Sequence, residues 1–286
     1  MDAKRTIAVA QIAPALGAVE RNLDLWLQRI EEAVRAGAQT IVFPELGLTG
    51  YFLRDMVPDV ALSVQAKLLQ PLLEKSGEIE IIGGFVEEAA DGQCYNAAMC
   101  LRAGRVEFVH RKVYLPTYGM FDEQRYFAAG DRLRAFPYGG AKAAILLCED
   151  TWHLSSGYVV CCDGALILFV LASSPARGIS EAATPASTCY WELLNQIYSS
   201  FFGVYVVFAN RVGCEDGVSF WGGSEVVEPG GRVVAKAGYF EPQLLLAEVN
   251  AQVLRRERRT TPLLRDEKLW LVLRELARVH NERAKD

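Results

Sequence analysis

Short apolar runs alternate with longer amphipathic stretches along this chain, and the period of each predicts its conformation. Residues 6–13 alternate and then meet Pro14, which reads as a strand and its exit. Residues 19–36 carry Leu23, Leu25, Trp26, Ile30, Ala33 and Val34 at helical spacing and stop at Gly37. Residues 40–43 predict a second strand, 60–73 a second helix and 80–85 a third strand. Strands over 95–101 and 106–113 flank the turn Ala103-Gly104-Arg105. Residues 143–147 are apolar without interruption, as in a strand buried on both faces. A short helical stretch and a strand over 166–171 follow. Residues 185–202 read as a long helix between Pro185 and Gly203. Strands over 205–209, 224–227, 232–237 and 244–249 come next, the middle two joined by Pro229-Gly230-Gly231, and residues 263–279 form an amphipathic helix.

This order mixes parallel crossovers with hairpins, so the sheets are expected to be mixed. The prediction is an α/β fold, a four-layer α-β-β-α sandwich of two mixed sheets. It forms one domain over residues 1–286, with 263–282 as a helical tail. At 286 residues with 51% hydrophobic and 23% charged side chains, the chain has the composition of a globular protein with a sizeable core. Its net charge of −5 argues against nucleic acid as a partner, because phosphate binding needs a basic surface. No apolar run approaches the roughly 20 residues that span a bilayer, and the start resembles no signal peptide. A cytoplasmic protein with no membrane partner is expected. Seven cysteines are scattered without metal-site spacing, and there are three histidines, so no metal and no cofactor are expected.

Candidate chemistry lies at strand ends. Cys148 follows the apolar run 143–147 and precedes Glu149-Asp150, a position where open α/β sheets place reacting groups. Phe43-Pro44-Glu45-Leu46 and His110-Arg111-Lys112-Val113 each close an apolar strand with ionisable residues. A thiol with a reference pKa of about 8.5 is mostly protonated at neutral pH and needs a base. Glu45 is the candidate base, Cys148 the nucleophile, and Lys112 the cation facing a developing oxyanion. Glu123, in the aromatic loop 118–127, is a candidate to orient Lys112 or Glu45, a role that periodicity alone does not establish.

Phe-Pro-Glu-Leu with Thr-Gly-Tyr, Arg-Lys-Val-Tyr-Leu-Pro, Phe-Asp-Glu-Gln-Arg-Tyr-Phe and Leu-Leu-Cys-Glu-Asp together resemble the signatures of the nitrilase superfamily of carbon–nitrogen hydrolases. The match extends through Ala172-Ser173-Ser174-Pro175 and Gly223 to Gly231, over roughly residues 6–250. Within the superfamily, residues 118–127 and Cys-Glu-Asp most resemble the glutaminase domain of glutamine-dependent NAD synthetases. The chain has no Ser-Gly-Gly-x-Asp-Ser pyrophosphate loop, so the resemblance implies a free-standing hydrolase. It implies cleavage of a non-peptide carbon–nitrogen bond of a small amide or nitrile through a cysteine thioester, with Glu123 as a second glutamate steering substrate and lysine. It also implies a homodimer or higher homo-oligomer. The apolar face Leu269, Trp270, Val272, Leu273 and Leu276 is a candidate contact.

Substrate is expected at Tyr51, Phe127, Glu149, Trp152, Ser173 and Arg177. The aromatics among these, like Trp191 and Trp221, line a pocket or are plain core. Arg177 grips a substrate carboxylate or caps its loop. Rival readings are a glutaminase feeding ammonia to a separate synthetase, and a non-catalytic binding protein on this fold. A Cys148–His153 dyad is disfavoured because His153 sits in a loop opening a helix. Cys161-Cys162 read as core, and the run 255–259 as a solvated helix face.

Overall fold

The computed structural model describes residues 4–177 and 185–284. In chain order it runs β1 (Lys4–Gln11), α1 (Val19–Arg35), β2 (Thr40–Val42), α2 (Val57–Val60), α3 (Gln70–Lys75), β3 (Glu80–Glu88), β4 (Cys94–Arg102) and β5 (Arg105–Arg111). Next come β6 (Phe136–Tyr138), β7 (Ala141–Leu147), α4 (Glu149–Trp152), α5 (Leu154–Cys162), β8 (Ile167–Ala172) and α6 (Ala186–Phe202). The chain closes with β9 (Tyr205–Asn210), β10 (Val212–Glu215), β11 (Val218–Trp221), β12 (Glu225–Val227), β13 (Val233–Lys236), β14 (Gln243–Asn250), α7 (Ala251–Thr260), α8 (Leu263–Asp266) and α9 (Leu269–Arg283).

Two six-stranded sheets result, ordered β14-β1-β2-β3-β4-β5 and β13-β12-β9-β8-β7-β6, and β10 and β11 pair separately as a two-stranded sheet. Each six-stranded sheet has three parallel strands at its heart (β1, β2, β3 and β7, β8, β9) with antiparallel strands outside them. The period-2 alternation of a strand divides its side chains between two layers. From β1, Ile7 and Val9 enter the core between the sheets, where they meet Ile145, Leu147, Phe169 and Leu171. Ala8 and Ala10 face the other way, onto Trp26 and Ile30 of α1 and Leu72 of α3. The second sheet repeats this, with Ala144, Leu168 and Phe208 packed on Val160 of α5 and Trp191, Leu194 and Tyr198 of α6. The layers are therefore α-β-β-α with two mixed sheets, as the element order predicts.

Three features depart from expectation. Residues 60–73 are not one helix. The Leu62 N–H donates to Val86 O at 2.9 Å and Leu62 O accepts from Glu88 N at 3.1 Å, so the start of the segment lies along β3. Pro71, which lacks an N–H and is tolerated only in a first turn, then starts α3. The hairpin β10–β11 and the three-residue β6 are not among the expected strands, and β6 is too short to carry a period. The expected tail helix is divided at 267–268, where Glu267 is extended. Leu269, Trp270, Leu273 and Leu276 of α9 are exposed. Among the described residues, no helix is long and apolar enough to cross a membrane.

Candidate active site

The ends of β2, β5, β7 and β8 converge, and each hands over one polar residue. After β2 the chain is pinned from beneath. Trp26 stacks on Phe43 with ring centroids 3.9 Å apart, and its indole N–H donates to Gly47 O at 3.1 Å. Pro44-Glu45-Leu46 must then turn over β3, with Leu46 at φ 47°. Gly84 of β3 lies directly under this turn. A Cβ there would stand 2.3 Å from Leu46 N and 2.7 Å from Glu45 Cα, so only glycine lets the two backbones approach. The result is a fully buried Glu45 whose two carboxylate oxygens take three donors. Its Oε1 accepts from Lys112 Nζ at 2.8 Å and Asn96 Nδ2 at 2.9 Å, and its Oε2 from Ser173 N at 2.8 Å.

Lys112 follows β5. Its backbone is held on both sides, the N–H by Asn96 O at 2.8 Å and the carbonyl by Gly130 N at 2.7 Å. Its ammonium is buried and bridges Glu45 Oε1 and Glu123 Oε1, 2.7 Å away. Glu123 Oε1 also accepts from Tyr51 OH at 2.5 Å, while Glu123 Oε2 is buried without a partner. Tyr51 is set by Glu215, whose Oε2 accepts from the N–H groups of Tyr51 and Phe52. Glu215 is in turn paired with buried Arg211, which lies over the Phe220 ring.

Cys148 follows β7 and begins α4 at φ 43°, ψ −98°, a conformation that costs about 1–3 kcal/mol for a residue with a Cβ. Its N–H is tied to Leu171 O at 2.8 Å. The residue as a whole is half-buried, at the carboxyl end of a strand inside the sheet.

The charges explain one another. Burial pushes the Cys148 thiol well above its ordinary pKa, and Glu45 adds to this, with Lys112 opposing. At neutral pH the resting sulfur is therefore a thiol. Burial disfavours the Lys112 ammonium, yet Glu123 and Glu45 outweigh it and hold its pKa well above the usual lysine value. Glu123 is pushed up to about 7 by burial and by Glu45, against the pull of Lys112. Tyr51 is raised by burial and Glu123, so it remains a donor.

The expected substrate residues fall in different places. Tyr51 and Phe127 help line a cavity of about 230 Å³ that also borders Glu123, Phe121 and Met120. Glu149 accepts from Tyr118 OH at 3.0 and 3.1 Å. Arg177 lies over the Phe121 ring, 4.9 Å from its centroid. Trp152 is 41% exposed and meets Trp191 edge-on. Ser173 is committed to Glu45, since its N–H meets Oε2 and its hydroxyl donates to Glu45 O at 2.8 Å. Trp191 and Trp221 are core, both donating to Ser174 Oγ. His153 stacks on Tyr114 and lies 3.9 Å from Glu149 Oε1. Asn96, Asp150, Arg211 and Glu215 escaped sequence reasoning. The one signal available was polar residues inside or beside apolar strands, as in Tyr95-Asn96-Ala97. Among the described residues no cluster of His, Cys, Asp and Glu could hold a metal ion.

Residues 6–259 match the profile of the family described as carbon-nitrogen hydrolase. The chain is 30% identical over 246 residues to the glutamine-dependent NAD(+) synthetase of Acinetobacter baylyi, covering 86% of this chain and 44% of that protein. It superposes on the glutamine-dependent NAD+ synthetase of Acinetobacter baumannii with a TM-score of 0.79 at 29% identity, covering 88% of this chain and 46% of that one. A carbon-nitrogen hydrolase from Helicobacter pylori shares the fold with a TM-score of 0.80 at 22% identity, covering 93% and 96%. The chain thus spans about half the length of the synthetases it matches.

Proposed function

The chain belongs to the carbon-nitrogen hydrolase family, and from that premise we propose that it hydrolyses the carboxamide of a small molecule through a thioester on Cys148. The observation that carries this reading is the buried chain Glu45–Lys112–Glu123, with Cys148 close enough that burial and Glu45 push its thiol well above its ordinary pKa. A protonated thiol needs an internal base, and Glu45 is the buried carboxylate next to the cation. Glu45 takes the proton from Sγ as sulfur attacks the carbonyl carbon. The oxygen that gains charge is met by the Lys112 ammonium and the Glu149 N–H, the first of α4. The C–N bond breaks as Glu45 returns its proton to the leaving nitrogen, releasing ammonia or an amine. Water then loses a proton to Glu45 and attacks the thioester. The C–S bond breaks, the acid leaves, and sulfur recovers the proton. Glu123 holds Lys112 in place, and Tyr51 holds Glu123.

A second reading, an amide-bearing amino acid as substrate and ammonia delivery to a synthetase, is favoured by the mouth of the site. Tyr118 there is pushed up to about 12 by burial and Glu149, and Arg177 lies close enough to oppose this. Glu149 and Arg177 offer opposite charges to an ammonium and a carboxylate. The relatives' names make L-glutamine the first compound to try. The same reading proposes one folded unit over residues 1–286 with 263–282 as its tail, action in the cytoplasm, and a homo-oligomer of at least two copies.

Ammonia release from a panel of amides, nitriles and carbamoyl compounds, L-glutamine included, tests the proposal. Cys148→Ala should be folded and silent on any compound the wild type turns over. Residual hydrolysis by that variant would remove Cys148 as nucleophile. Stimulation of glutamine hydrolysis by an added synthetase would favour the second reading.

A further inference from the structure

We propose that Asp150 is a positioning residue that holds the Cys148 turn and the end of the Lys112 strand in register. The inference rests on the roles proposed above for Cys148 and Lys112. Asp150 is fully buried, and its carboxylate joins the end of β5 to the end of β7, segments 36 to 40 residues apart in sequence. Oδ1 accepts from Val113 N and Tyr114 N, both at 3.0 Å, the two residues after Lys112. Oδ2 accepts from Leu147 N at 3.1 Å, the residue before Cys148, and lies 2.8 Å from His110 Nε2 on β5. One carboxylate therefore touches the immediate neighbours of both the nucleophile and the oxyanion cation.

The chemistry of the clamp requires an acceptor-only group. Three partners are backbone N–H donors that cannot change role, and the fourth is a ring nitrogen that completes the set when it carries its proton. An amide in place of the carboxylate would turn an NH2 group toward backbone N–H on one side or the other. That side would open, because a buried donor facing a donor is left unsatisfied. Cys148 has reason to need such a tether. It holds a positive φ, and such a conformation persists only where the surrounding contacts fix it. Misplacement of a reacting group by about 1 Å costs ~10²-fold in rate.

The test uses iodoacetamide, a small amide that alkylates sulfur, and reads the labelling of Cys148 by peptide mapping. Exposed Cys214 serves as internal reference. In folded Asp150→Asn the maximal labelling rate at Cys148 should fall ~30-fold, with the half-saturating concentration within about twofold of wild type and Cys214 unchanged. A purely structural role predicts a lower melting temperature with an unchanged maximal rate in the folded protein, and that result would overturn the proposal. If Asp150→Asn does not fold, His110→Phe decides, since it removes one partner of the four. A rate about fivefold lower supports the clamp and a wild-type rate overturns it. Turnover by Cys148→Ala would sink the nucleophile assignment, while the labelling comparison would still decide the role of Asp150.

Discussion

Lys112 balances one positive charge against two carboxylates inside the protein, and each of the three depends on the others for its place. Lys112→Met should remove the oxyanion donor and lower kcat by ~10²–10³. It also leaves Glu45 and Glu123 buried without a counter-ion, a loss on the order of 3–5 kcal/mol in chemical denaturation. A folding free energy equal to wild type would mean that the carboxylates are hydrated. Glu123 gives a prediction with a sign. Its folded pKa, raised to about 7, exceeds the ordinary glutamate value of 4.5, so its contribution to stability is fullest below about 4.5 and is lost as pH rises through about 7. Glu123→Gln mimics the protonated form. The melting temperature of the variant relative to wild type should therefore rise between pH 5 and pH 8.5. A difference that stays flat would show that the carboxylate is not desolvated.

Between elements, the fit depends on close approach. The turn that carries Glu45 rests on Gly84 of β3 as a lid rests on a rim, and a methyl group there has nowhere to go. Gly84→Ala should destabilise by about 1–3 kcal/mol, with a loss of turnover in excess of what folding explains, because the displaced backbone is that of Glu45. Gly77→Ala is the comparison. Its nearest neighbour, Glu74 O, is 3.3 Å away and the site is remote, so turnover should be unchanged. Equal effects of the two on turnover would show that the fit beneath Glu45 is not special. The hairpin β10–β11 works similarly from a distance, since Glu215 at its turn end holds the N–H groups of Tyr51 and Phe52.

Across the whole molecule, the helix layers differ in how completely they are covered. α1 buries its apolar stripe on the first sheet, while α9 leaves Trp270, Leu273 and Leu276 open, each more than 60% exposed. A face of this kind on a small domain is a contact surface in most proteins that carry one. Sedimentation at micromolar concentration should give a dimer or larger, and Trp270→Glu with Leu273→Glu should shift it toward monomer without affecting the melting transition at low concentration. A wild-type monomer would sink the proposed assembly.

What could be read along the chain was whatever repeats over a few residues. The alternation of β1, the helical spacing of α1, the stop at Gly37 and the strand ends bearing Glu45, Lys112 and Cys148 are all local, because backbone geometry imposes a period on burial. Where an apolar period was crossed by a distant partner, local reading failed. Residues 60–73 have helical spacing, but β3 captured Leu62 as a bridge and Pro71 reset the helix. The candidate reacting groups were nameable one at a time, but their mutual geometry was not. Glu45 Oε2 meets Ser173 across 128 residues, and Tyr51 meets Glu215 across 164. Ser173, Asn96, Asp150 and Glu215 serve other side chains and backbones, and a residue whose task is to hold another acquires its meaning only when both are brought together. Hydrophobic burial is specified by type and spacing. Hydrogen-bond pairing needs a direction and a distance of about 3 Å, which only the packed sheets supply.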